Sequence, residues 1–469
     1  MPKFPSRLTP AFIPLLASAA LVTTFSRTAS ARDPWLWPFA TNSPWNMPIG
    51  SGAIYASATD ARTQSLINNP AGYNVGTMDI SLSAASDPLR EIIEQNPYTG
   101  VTTDLYLQIS NSISPPPYPG DAHMLIADPN KYHINEFWQF HANSASPGNW
   151  LCSTYTQNPL DRTGIGGGGA KAYGGSAFAG TIRVWEVQAG VIPHALAVAI
   201  GRSQLGPTGG YIWPATADDN ATYTGHCPMG TLAAIPPSVN LSGLGLTTGG
   251  LMLATAMQNY GVYVTDSAGA DLIVVEDAAV GMSQVTQMGW DLSKVWQYLR
   301  PVTNNTPTTI GGGGTPRQPL ASPFTETLDE MESLAIASQT SGVTARVSQD
   351  PIFSNQAALF FDATATGQAV TVVVPAVSAG SYDLRVGVKS WYNKGEFQLS
   401  ITKAGSTSSP AIFTTVDTYN PTPSYNEADL GTYTAGSTSD KWFKFTVMGK
   451  NAASGGYGLA LDYITLIPK

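Results

Sequence analysis

Six side chains are candidates for acid–base chemistry: His123 and His194, which open strand-like runs, Asp266, which ends one, Glu136 within a strand, Glu186 on a short helical turn and Asp218 in a loop. His123 to Ala127 and His133 to Phe140 are joined by Asp128-Pro129-Asn130-Lys131, the composition of a type I turn with Asp128 as its former. Pairing Ala127 with Ile134 in that hairpin puts His123, Glu136 and Trp138 on one face. A slip of one residue instead groups His123 with Gln139 and His141. Either face gathers His with Gln or Glu and Trp, an odd choice for a plain core; a solvated face with one packed Trp is the plainer reading. His194 opens the run HALAVAI after Pro193, a position that suits a general acid or base and equally a structural histidine. Glu186 lies three residues from Arg183, a spacing that an ordinary ion pair also explains. Asp218 and Asp219 follow GYIWPAT, which contains Trp213, and Asp266 ends YGVYVTD; such positions are often solvated turns.

Paired carboxyls are the requirement of glycoside hydrolysis, and Glu136, Glu186, Asp218 and Asp266 are the candidates for it, with His123 and His194 tuning or replacing one of them. A polysaccharide lyase would instead draw on His123, His194, Arg202 and Tyr263. Other chemistries lack their signatures. There is no Gly-x-Ser-x-Gly elbow and no His-Glu-x-x-His. The run Gly164 to Gly169 (GIGGGG) lacks the Gly-Lys-Ser/Thr ending of a phosphate loop and predicts a mobile loop, lid or cleft edge.

The elements that must position these residues are mainly strands. Asp104 to Ile109, His194 to Ile200, Val262 to Thr265 and Leu272 to Val275 are short, β-branched or aromatic, and bounded by turn residues. Helical spacing is confined to Leu251–Tyr260 and Leu292–Leu299. Trp35, Trp37 and Trp45 lie in a proline-rich stretch that predicts an extended segment pinned to the surface. The expectation for residues 32–302 is a large β-sandwich or barrel with a few short helices. Residues 303–321 include TNNTPTTIGGGGTPRQP and predict a flexible linker. Residues 322–469 alternate cleanly at Ala369–Pro375, Tyr382–Val388, Glu396–Ile401, Trp442–Val447 and Leu459–Leu466, which predicts a second β-sandwich.

Composition sets the partner class. Lys3 and Arg7 precede an apolar run from Ala11 to Phe25, and Ala29-Ser30-Ala31 follows, the pattern of a secretory signal over residues 1–31. Removing it leaves 20 basic residues (23 less Lys3, Arg7 and Arg27) against 32 acidic ones, a balance that disfavours nucleic acid or anionic lipid as a partner. No later run is long and apolar enough for a membrane span. Cys152 and Cys227 are the two cysteines, and in an oxidising compartment they predict one disulfide.

The ending VMGKNAASGGYGLALDYITLIP and the phrase VVVPAVSAGSYDLRV resemble the jelly-roll carbohydrate-binding modules of exported carbohydrate-active proteins, over roughly residues 325 to 468. The resemblance implies a jelly roll, glycan as ligand, and a structural calcium to which Glu326, Glu330 or Glu332 would contribute. Trp391, Tyr392, Asn393 and Asn451, with Tyr419-Asn420 and Tyr425-Asn426, are the stacking and hydroxyl-binding candidates. From Pro44 to Val302, the phrases SPWNMPI, DAHMLIADP, RVWEVQAGVIPHALAVAI and GYIWPAT resemble a widespread group of exported bacterial proteins with little assigned biochemistry. The combined expectation is a monomeric, secreted or periplasmic polysaccharide-degrading glycoside hydrolase with an appended glycan-binding module. It contacts substrate through Trp138, Gln139 and Trp213 as well and requires no cofactor for the chemistry. A non-catalytic glycan-binding or cell-surface protein and a polysaccharide lyase are the alternatives.

Overall fold

Alternating and β-branched runs decide the architecture, and the protein is mainly β. The computed structural model describes residues 32–68, 71–219, 222–321, 327–349, 353, 357–406 and 410–469; the leader read at 1–31 and Glu326 lie outside them.

The larger lobe is built on a nine-stranded mixed sheet. Its order is Arg300–Pro301, Leu232–Ala234, Val262–Ser267, Leu196–Ile200, Asp271–Glu276, Tyr73–Leu82, Met124–Ala127, His133–Trp138, Thr154–Pro159. Tyr73–Leu82 runs parallel to both Asp271–Glu276 and Met124–Ala127. Helices Thr248–Asn259 and Ser283–Trp296 share a core with the sheet, where Leu253, Met257, Leu292 and Trp296 pack with Val262, Val264 and Ile273. The first helix starts at its Thr247 cap, whose hydroxyl accepts from Gly250 N at 3.1 Å. At the other end of the sheet the hairpin is sandwiched. Ile126 and Phe137 face Ile92 and Leu105 of a four-stranded sheet (Thr102–Gln108, Leu89–Gln95, Trp150–Cys152, His141–Ala142). The hairpin register is Ala127 with Ile134, the first of the two pairings.

The cysteines correct an expectation. Both are free thiols: Cys152 lies in the small core under the four-stranded sheet, Cys227 in the main core. Two different cores hold them, so no disulfide joins them. Burial pushes the Cys227 thiol up to about 12, so it behaves as a small apolar side chain.

The linker reading also needs correction. Residues 303–317 are laid onto 49–55 by backbone hydrogen bonds. Thr303 N donates to Ile54 O at 2.8 Å, Gly52 N to Gly313 O at 2.9 Å, and Arg317 N to Ile49 O at 3.0 Å. The glycines serve close approach here, not looseness. Gly311 has φ +64°, and a Cβ there would lie 2.5 Å from the Pro48 carbonyl oxygen.

The smaller lobe is a β-sandwich. One sheet runs Ala345–Gln349, Ala357–Phe361, Leu459–Pro468, Gly380–Ser390, Ser424–Ala435, with Thr327–Glu330 also on Leu459–Pro468. The other runs Ala335–Gln339, Ala369–Val377, Ser439–Gly449, Glu396–Lys403, Ala411–Asp417. Val370 and Val372, Leu384 and Val386, Phe397 and Leu399, and Phe443 and Phe445 fill the space between them, the alternation read from sequence. Arg32–Lys469 forms one compact unit, and the two lobes meet at His133, whose Nε2 lies 3.1 Å from Glu330 Oε1.

Candidate functional site

His123 immediately precedes the strand Met124–Ala127, and Asp266 lies near the end of Val262–Ser267; the sheet delivers both to one cleft of about 690 Å³. Lys171 joins them, its Nζ 3.2 Å from Asp266 Oδ2, while Ser267 N donates to Asp266 Oδ1 at 2.9 Å. Burial raises the Asp266 carboxyl above its ordinary range, against the Lys171 ammonium, which pulls it down. Burial, and then the same ammonium, push the His123 imidazole down to about 3, so the ring is neutral. Asp121, exposed at the rim, accepts from Trp138 Nε1 at 3.3 Å. The Trp138 ring is stacked with the exposed Tyr98, centroids 6.3 Å apart and planes at 24°. Arg202, Asp218 and Asp219 line the far side. Asp219 accepts from the Tyr223 hydroxyl and from Ser267 Oγ, the latter at 3.2 Å.

Three of these residues escaped the sequence reading: Asp121, Lys171 and Tyr98. Each sits in a loop within two residues of glycine or proline, outside any periodic run. The phrase PPPYPGD immediately before Ala122-His123 was the available signal for Asp121, since a carboxylate two residues before a strand-end His shares its face in an extended chain.

Glu136 shares the His123 face of the hairpin but is sealed below the cleft. Four donors converge on it: Asn158 Nδ2 at 3.0 Å, Ala177 N at 2.7 Å, Ala170 N at 3.3 Å and the Ser176 hydroxyl. Burial raises its carboxyl to about 7, against all four hydrogen bonds. Ala170 lines the cleft and bonds His123 through its backbone, and Lys171 follows it, so Glu136 fixes the wall that carries both groups. Asn158 also holds Gly168 O at 3.3 Å, which pins the GIGGGG run from beneath as a cleft edge. Gly169 has no room for a side chain, because a Cβ would lie 1.9 Å from the Gly175 carbonyl oxygen.

The structure does not bring His194 and Glu186 to this cleft. They face one another, Nε2 3.0 Å from Glu186 Oε1, with Nδ1 2.8 Å from Ala195 O. Burial lowers the His194 imidazole, but the Glu186 carboxylate outweighs it and the net shift is upward. Arg183 N donates to Glu186 at 2.8 Å, and the Arg183 guanidinium bonds Glu276 at 3.0 Å and lies over the stacked Trp35 and Phe178 rings. This network ties the N-terminal tryptophan segment to the sheet. Tyr263 is core, its ring 5.1 Å from that of Trp45, and Trp213 is half-buried outside the cleft. Gln139 Oε1 accepts from Ser153 Oγ at 2.6 Å, and His141 stacks on Tyr118 at 3.9 Å.

On the smaller lobe, Trp391 and Tyr392 follow the strand Gly380–Ser390 and meet edge to face at 5.0 Å. The Lys389 ammonium sits 5.0 Å from the Trp391 ring, which holds the indole in place, while Tyr392 is 50% exposed and available for stacking. Asn393 Oδ1 is buried with no hydrogen-bond partner among the described residues. Asn451 Nδ2 donates to Asp417 Oδ2 at 2.8 Å, at the end of the strand Ala411–Asp417. Of the glutamates that the resemblance implies for a calcium, Glu326 lies outside the described residues. Glu330 is turned toward His133, and among the described residues no group of three His, Cys, Asp or Glu side chains is gathered for a metal.

No protein-family model matches the chain, and no curated protein matches it. Among solved structures, it is similar to a xanthan lyase from Paenibacillus, at 26% identity and TM-score 0.28, over 36% of this chain and 16% of that one. It is similar to the GH26-CBM35 β-(1,4)-mannanase of Podospora anserina, at 16% identity and TM-score 0.21, over 31% of this chain and 28% of that one. A family 35 carbohydrate-binding module from Clostridium thermocellum is covered completely, with 32% of this chain, at 17% identity and TM-score 0.22.

Proposed function

We propose that the protein hydrolyses a neutral polysaccharide in the cleft of the larger lobe and holds the polymer with the Trp391–Asn393 edge of the smaller one. One observation carries this reading: Asp266, its carboxyl raised by burial, stands in a cleft with a second carboxyl, Asp121, and a stacked aromatic pair, Tyr98 and Trp138. Sugar rings present flat C–H faces that stack on such rings, and glycosidic cleavage needs one protonated and one ionised carboxyl. Asp266 donates its proton to the leaving oxygen. Asp121 serves the anomeric centre as base or nucleophile, and Lys171 orients Asp266 while restraining its proton affinity.

The charge of the walls favours a neutral chain. Asp121, Asp218, Asp219 and Asp266 outnumber Lys171 and Arg202, so a uronate would be repelled. The lyase reading also loses Tyr263 to the core, and an imidazole held near 3 is a poor base. Non-catalytic glycan binding remains the second reading, favoured by the structural use of Glu136, Glu186 and His194. Incubation with xylan, galactomannan, mixed-linkage β-glucan and xanthan separates the two. New reducing ends on a neutral polymer, absent with Asp266→Asn, support hydrolysis; retention of polymer with no new ends leaves binding alone.

A further inference from the structure

We propose that the cleft is open at both ends and takes an internal stretch of a glycan chain, so that cleavage falls within the polymer; this rests on the glycan-processing reading above. Asp121, His123, Lys171, Asp266 and Ser267 form a wall common to two hollows, one of about 690 Å³ and one of about 270 Å³. The larger passes Trp138 toward Arg202. The smaller shares those five residues and is lined besides by Gly76–Thr77 of the strand Tyr73–Leu82 and by Pro116–Pro117. An enzyme that removes terminal units closes one side of its acid pair to stop the chain. Here both sides are hollow, and the residues that would have to close the smaller arm are slight. Gly76 has no side chain, and a Cβ there would already lie 3.0 Å from Leu272 Cδ1. Thr77 is exposed. The reacting group therefore stands in the middle of a groove, with sugar subsites on either hand, the larger arm carrying the aromatic platform.

The test compares wild type with Thr77→Trp, which fills the smaller arm from an exposed position and leaves the core untouched. Wild type is expected to release oligosaccharides of mixed length from a soluble neutral polymer such as mixed-linkage β-glucan at the earliest times. Thr77→Trp is expected to slow polymer cleavage by about tenfold or more with an unchanged thermal midpoint. Release of one product size from the start, or wild-type polymer cleavage by Thr77→Trp, overturns the open-ended groove and leaves glycan hydrolysis standing. If wild type binds polymer without cleaving it, the same variant must weaken that binding by a comparable factor, and unchanged binding overturns the inference. A wild type that neither cleaves nor retains any polymer overturns both this inference and the reading beneath it.

Discussion

At the scale of single residues, Lys171 and Asp266 carry the most specific expectation. Asp266→Asn keeps the shape of the side chain but removes the proton it would donate, and the expected loss in rate is about 10²-fold or more with an unchanged thermal midpoint. Lys171→Met has a signature that a merely structural role lacks. The ammonium lowers the Asp266 carboxyl, so removing it raises that carboxyl further and moves the alkaline limb of the rate profile to higher pH. A limb that stays in place would take Asp266 out of the acid role. Glu136→Gln is a different kind of change. It puts an amide NH₂ among four donors, and it should disturb the wall at Ala170–Lys171 and lower stability together with rate. Loss of rate alone would place Glu136 in the chemistry. Sequence could offer the face that holds His123, Glu136 and Trp138 as one of two registers, because the side-chain period of a hairpin allows no others. It could not tell which of the three is sealed, since burial depends on the 164–177 segment that folds over the hairpin.

Elements show where local pattern informs and where it misleads. Five strands of the smaller lobe were legible because apolar residues alternate with polar ones over each run, whereas the hairpin left two registers open and the structure selects Ala127 with Ile134. The mixed sheet was not legible. Tyr73–Leu82 pairs in parallel with Asp271–Glu276, a partner remote in the chain, and no local signal specifies such a pairing. The glycine run at 311–314 misled for another reason. Composition cannot separate glycines that keep a chain loose from glycines that let two backbones touch. The distinction is testable at Gly311, where φ is +64° and a Cβ would meet the Pro48 carbonyl oxygen. Gly311→Ala is expected to destabilise the protein by more than about 1 kcal/mol, whereas in a free linker the same change is neutral. Gly169→Ala, which collides with the Gly175 carbonyl oxygen, should distort the cleft edge in the same way.

For the whole molecule, buried titratable groups predict how stability varies with pH. Burial raises Glu136 and Asp271 to about 7, and Asp79 and Asp329 to about 6. These carboxyls hold protons in the folded chain that the unfolded chain gives up near 4, so their contribution is full at low pH and is lost as pH rises through 6 to 7. His133 acts with the same sign. Burial opposes its charge, but the hydrogen bonds and charges of Asp128 and Glu330 lift it well above 6.5, so the contact between the lobes is strongest when it is protonated. His123 acts in the opposite sense, since the folded chain refuses a proton that the unfolded one accepts below 6.5. Four carboxyls and His133 outweigh it, and the thermal midpoint is expected to be higher at pH 5.5 than at pH 8. Glu330→Gln should flatten that dependence by weakening the seam between the lobes. A midpoint that rises toward pH 8 would contradict this assignment of protons.

A crystal structure of the Asp266→Asn variant with a neutral oligosaccharide tests the central claim most directly. The account predicts a sugar ring over the Tyr98–Trp138 pair and a glycosidic oxygen within hydrogen-bonding distance of residue 266. Sugar bound against Tyr392 alone, with the cleft empty, would contradict it.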